Sequence, residues 1–139
     1  MNLTRRNAMA LGAAAAATIV ALPAGAATFE EAVMSVTGGK EAAEGGDLVL
    51  TAPEIAENGN TVPVAIDAPG AVAVTFLAIG NPNPAVATFK FGPLAGSREA
   101  STRIRLATTQ DVVAVAEMED GSFQTAKQTV KVTIGGCGG

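Results

Sequence analysis

Two hydrophobic periods divide this chain. Over residues 28–36 the apolar positions Phe29, Ala32, Val33 and Val36 recur at helical spacing, with Thr28 placed as an N-cap and Glu30 and Glu31 in the first turn. Gly38-Gly39 ends that pattern. From Leu48 onward the period falls to two, and seven stretches read as strands: 48–50, 62–66, 71–77, 86–91, 102–106, 112–116 and 126–134. Asn58-Gly59, Ala68-Pro69-Gly70, Asn81-Pro82-Asn83-Pro84, Gly92-Pro93 and Asp120-Gly121 supply the turns between them. Short strands with regular turns over about a hundred residues predict an all-β, immunoglobulin-like antiparallel β-sandwich with a short N-terminal helix. In the last strand Val130, Val132 and Ile134 share one face, which assigns all three to the core. No repeat or linker interrupts residues 28–134, which read as one domain.

The apolar run ahead of the helix follows neither period. Thr4-Arg5-Arg6-Asn7 precedes an Ala-rich stretch over 8–22, and Pro23-Ala24-Gly25-Ala26-Ala27 puts small residues at signal-peptidase spacing. Residues 1–27 read as a twin-arginine export signal, which predicts a periplasmic protein whose mature chain begins at Ala27 or Thr28. General secretory export is the alternative route. The run is shorter and less apolar than the roughly 20 residues of a membrane span, so no membrane anchor is expected. A twin-arginine substrate crosses folded, which lets a partner lacking its own signal travel with it.

Composition narrows the chemistry. Of the 9 Lys and Arg, Arg5 and Arg6 leave with the signal, so 7 basic residues face 13 acidic ones and the net charge becomes −6. Nucleic acid and anionic membrane are poor partners for such a surface. The chain has no His, Trp or Tyr. A Ser-His-Asp triad, a Cys-His dyad, an HExxH helix and a His-ligated metal are therefore excluded. A single Cys also excludes an intrachain disulfide, a CxxC redox pair and a thiolate metal cage.

That single thiol, Cys137, stands in Gly135-Gly136-Cys137-Gly138-Gly139. A cysteine kept for packing sits among apolar neighbours, whereas every neighbour here lacks a side chain. Glycine is the residue that costs most to order, so 135–139 reads as a mobile arm that presents its thiol and threads a narrow channel. Fully extended, five residues reach about 17 Å, with the sulfur two thirds of the way along. A thiol of ordinary pKa, about 8.5, is only a few per cent thiolate at neutral pH, which leaves its activation to a partner's pocket. The competing reading is a tail whose cysteine is incidental.

Other polar groups carry less. Glu117, Glu119 and Asp120 could be paired carboxylates or cation ligands, but they border an ordinary hairpin turn, where charges are usually solvated. Glu54 and Glu57 precede the Asn58-Gly59 turn in the same way. Arg103 and Arg105 alternate with Ile104 and Leu106, so both guanidinium groups share one strand face, which is either a solvent face or one that steers anions or docks a partner. Asn81-Pro82-Asn83-Pro84 reads as a rigid loop.

With arm, export signal and sandwich in place, the chain closely resembles the SoxY family of sulfur carriers in periplasmic thiosulfate oxidation. The resemblance runs through Pro53-Glu54-Ile55-Ala56-Glu57-Asn58-Gly59, Val62-Pro63-Val64, Asn81-Pro82-Asn83-Pro84 and Thr102-Arg103-Ile104-Arg105-Leu106-Ala107-Thr108-Thr109-Gln110. It ends on Val132-Thr133-Ile134 and the pentapeptide, its most specific element. It implies a non-catalytic carrier without cofactor or metal, paired with a second small β-sandwich subunit, SoxZ. Sulfur intermediates would be attached to Cys137, with Gly135, Gly136, Gly138 and Gly139 as the arm. It further implies visits to the SoxXA haem enzyme, the SoxB hydrolase and a sulfane dehydrogenase. Two other classes stand beside it. An exported immunoglobulin-like binding module needs no sulfur, so Cys137→Ser would leave it working. A thiol oxidoreductase needs an electropositive pocket and a resolving partner, neither of which this sequence offers.

Overall fold

The computed structural model describes residues 28–136. Helix α1 (Phe29–Thr37) opens with a complete capping box: Glu31 N–H donates to Thr28 Oγ1 at 3.3 Å, and Thr28 N–H donates to Glu31 Oε2 at 3.0 Å. It closes on Gly38 in the left-handed conformation. Nine strands follow: β1 (Ala42–Glu44), β2 (Val49–Thr51), β3 (Ile55–Asn58), β4 (Val62–Asp67), β5 (Ala71–Ala78), β6 (Ala85–Lys90), β7 (Glu99–Ile104), β8 (Gln110–Met118) and β9 (Phe123–Ile134). Among the described residues no helix is long and apolar enough to cross a membrane.

The strands form an all-β sandwich, in agreement with the sequence. One sheet has the order β1-β9-β8-β5-β6, the other β2-β4-β7. Val62, Val64, Ile66 and Ile104 from the smaller sheet meet Val74, Phe76, Val112, Ala114 and Val130 from the larger one. Phe76 and Phe89 pack edge to face at 5.9 Å between ring centroids. The opposite face of the larger sheet is covered too. Leu77, Val113, Val115 and Phe123 meet Ala32 and Val33 of α1 in a second apolar cluster. Burial on both faces is why β8 reads as an unbroken apolar run rather than an alternating one.

Three expectations need correction. First, β1 and β3 were not legible as strands, and both pair parallel to β9, so the sandwich is not antiparallel throughout. Each is short, mostly exposed and without apolar alternation, with only Ala56 of β3 buried, and owes its conformation to a distant partner. Second, Leu106 is buried but lies beyond β7, because its backbone leaves the sheet to bind elsewhere. Third, Ile134 is outside the core, at 66 % exposure, although Val130 is fully buried and Val132 packs against the core's margin. The cause is length: β8 ends its pairing at Gln110 opposite Val130, so the last four residues of β9 run past the end of β8.

Candidate functional site

What takes over from β8 at that overhang is a set of loops. On one edge Lys131 N–H donates to Glu54 O at 2.8 Å, and β3 pairs along Lys131–Ile134. On the other, the Thr109 hydroxyl substitutes for a strand: Val132 N–H donates to it at 2.9 Å, and it donates to Val132 O at 3.4 Å. The chain is then held at Ile134 and Gly136 by backbone bonds alone. Gly59 N–H donates to Ile134 O at 2.7 Å, Leu106 N–H donates to Gly59 O at 2.7 Å, and Gly136 N–H donates to Leu106 O at 2.9 Å. Three distant segments are laced together by these bonds.

The lacing leaves no room for side chains. A Cβ on Gly135 would lie 2.2 Å from Ala107 O, and one on Gly136 would lie 2.8 Å from Gly59 O, distances that Cβ atoms do not tolerate. The sequence explains these glycines by mobility and threading; the fold gives the first two a close backbone approach instead. Cys137, Gly138 and Gly139 lie outside the described residues, as does the export signal 1–27.

Behind the lacing sits a buried polar pair that sequence reasoning missed. Asn81, 2 % exposed, donates from Nδ2 to Arg105 O at 2.7 Å and accepts at Oδ1 from Ala107 N–H at 2.9 Å. It thereby grips both neighbours of Leu106. Gln110 donates from Nε2 to Asn81 Oδ1 at 2.8 Å and to Thr108 O at 3.0 Å, and accepts from Gly80 N–H at 2.8 Å. Every bond of this amide pair ends on the loop that receives Gly136, or on the turn containing Asn81.

The remaining candidates are not gathered at this place. Glu119 pairs with Arg98 at 3.4 Å, and the Arg98 guanidinium also donates to Ala71 O at 2.9 Å. Asp120 accepts from the Ser122 hydroxyl and from Ser122 N–H, and the two bonds, the hydroxyl's foremost, hold its carboxyl below the usual aspartate range. Glu117 is exposed on β8, Glu57 is exposed on β3, and Glu54 contributes its backbone carbonyl to β9. Among the described residues no group of three or more His, Cys, Asp or Glu side chains could hold a metal. Arg103 and Arg105 are both exposed and border, with Asn81 and Asn83, a hollow of about 360 Å³.

Comparison with known proteins decides what this framework belongs to. The family profile "Sulfur oxidation protein SoxY" matches residues 33–137. The chain belongs to the SoxY family. Its fold superposes on the sulfur carrier protein SoxY from Chlorobium limicola f thiosulfatophilum with a TM-score of 0.65 and 36% identity, over 76% of this chain and 96% of that one. A superoxide reductase (neelaredoxin) from Ignicoccus hospitalis shares the sandwich at a TM-score of 0.53 and 17% identity, over 63% of this chain and 80% of that one, which shows a common fold only. Comparison with curated protein sequences finds no match. Membership in the SoxY family makes the chain a sulfur carrier of sulfur oxidation, a protein that takes part in the pathway without catalysing a step.

Proposed function

We propose that Cys137 is the atom-bearing residue of this carrier: its sulfur holds the intermediates of thiosulfate oxidation while partner enzymes act on them. The observation that carries the reading is that the SoxY profile runs through Cys137 itself. The anchored backbone supports it, since β9 and the lacing fix the chain up to the residue that precedes the thiol. In the first step the Cys137 thiolate and the outer sulfur of thiosulfate form an S–S bond, and the electron pair released passes to a haem enzyme. Water then attacks the terminal sulfonate, sulfate leaves, and a persulfide stays on Cys137. A sulfane dehydrogenase removes electrons from that outer sulfur while water supplies its oxygens. A second hydrolysis releases sulfate and restores the thiolate. Tethering keeps each intermediate at high effective concentration and prevents its loss between enzymes.

The same reading places the protein in the periplasm, exported through residues 1–27, and pairs it with a SoxZ-like β-sandwich subunit across an interface of standard size or larger, about 1,200–2,000 Å². Mass spectrometry of the protein from cells grown on thiosulfate is the test. Cys137 should carry sulfane or sulfonate adducts, and the N-terminus should be Ala27 or Thr28. Cys137→Ser should carry no adduct and support no thiosulfate oxidation while remaining folded. An adduct-free Cys137, or a serine variant that sustains oxidation, rejects the carrier role for this residue.

A further inference from the structure

The geometry points to Gly59 as a positioning residue for the carrier thiol, acting through the lacing at the arm's root; this rests on Cys137 being the loaded residue. Gly59 lies in the connection between β3 and β4, far from the arm in sequence, and is buried. Its φ is not positive, so the backbone shape there does not require glycine. Proximity does. A Cβ on Gly59 would lie 2.4 Å from Leu106 O, 2.7 Å from Gly136 N and 2.9 Å from Val132 Cγ1, that is, against every strand of the knot at once. Both backbone groups of Gly59 are engaged, the N–H with Ile134 and the carbonyl with Leu106. One residue therefore joins the overhanging end of β9 to the loop that receives Gly136, and Asn81 braces that loop from behind.

The consequence concerns tether length. With Gly136 fixed, the Cys137 sulfur is attached one residue from a stationary point and ranges within about 6 Å of it. If the lacing opens and the last hold retreats to Val132, five residues separate the sulfur from its anchor. Once a tether exceeds the span it must bridge, the effective concentration of the tethered group falls roughly as the three-halves power of its length, so where the closed root already reaches a partner's site, opening the knot dilutes the thiol there about tenfold. Gly59 shapes delivery through the backbone bonds that hold the arm's root.

Gly59→Ala and Gly135→Ala test this at two separate points of the lacing, Gly59 against Leu106 and Gly136, and Gly135 against Ala107, in the full exported chain with the subunit that accompanies it. Three readouts are compared: amide hydrogen exchange at Gly136, alkylation of Cys137 by iodoacetamide, and kcat/KM for thiosulfate loading by the haem enzyme. Gly136 should be protected in the parent and lose that protection in both variants. Alkylation should stay within about twofold, since a small reagent needs no positioned thiol. Loading should fall about tenfold in both. Should Gly59→Ala not fold, Gly135→Ala, which lies outside the core, carries the test alone. Retained protection at Gly136, unchanged loading, or faster loading overturns the inference; faster loading would mean the knot obstructs delivery. A parent chain that takes no sulfur on Cys137 defeats the carrier reading and this inference with it, whereas a loaded parent with unaffected variants defeats the inference alone.

Discussion

An asparagine amide offers one acceptor oxygen and two donor hydrogens, and Asn81 spends them on three partners that all belong to residues 105–110. Replacing it by alanine leaves Ala107 N–H, Arg105 O and the Gln110 amide short of partners in a buried place. Each such orphan costs on the order of 1–3 kcal/mol, partly relieved by water. Asn81→Ala should thus lower the unfolding free energy by about 2–4 kcal/mol, read as a lower urea midpoint at unchanged slope. An effect below about 1 kcal/mol would show that the loop holds itself. From the sequence, Asn81 reads only as one of two asparagines in a proline-rich loop, because nothing local reveals which amide points inward. Cys137 stands out in the sequence for the opposite reason, its neighbours having no side chains, and itself lies outside the described residues. Gly135 and Gly136 fall between these cases, since composition marks them but only their spacing to Ala107 and Gly59 gives the reason.

At the scale of elements, the β8–β9 hairpin was readable down to its turn, and Asp120 shows how the turn is fastened. Its carboxylate is stabilised in the charged form by Ser122, which depresses its pKa in the folded chain. The sign follows: the contribution to stability is present above the unfolded-state pKa and is lost as pH falls through the lower folded value. Ser122→Ala should return Asp120 toward the ordinary aspartate range, measured by carboxyl carbon NMR titration, with little change in carrier activity. A titration that does not move would assign the depression to the backbone N–H alone. Alternation located β4, β6 and β7, whose faces differ in burial, whereas β5, buried along both faces, reads as an apolar run. It could not find β1 or β3, where the pairing partner is about eighty residues away and no local period signals it. The same limit misplaced Ile134, for a strand's alternation does not say where its neighbour β8 stops.

For the molecule as a whole, β9 is the strand on which everything closes. It pairs with β8 along its first eight residues and with β1 and β3 along its far edge, while its end carries the arm's root. A chain ending before Phe123 should therefore lack a cooperative unfolding transition by calorimetry; retention of one would show that the remaining strands suffice. Because β1 and β3 are made early and β9 late, two early strands have no mate during synthesis until β9 emerges from the ribosome. The thiol follows β9 by three residues. In the order of manufacture, then, the reactive group is made available only after the strand that certifies the body as complete. On the proposed reading of Cys137, a half-made molecule carries no sulfur-accepting atom at all.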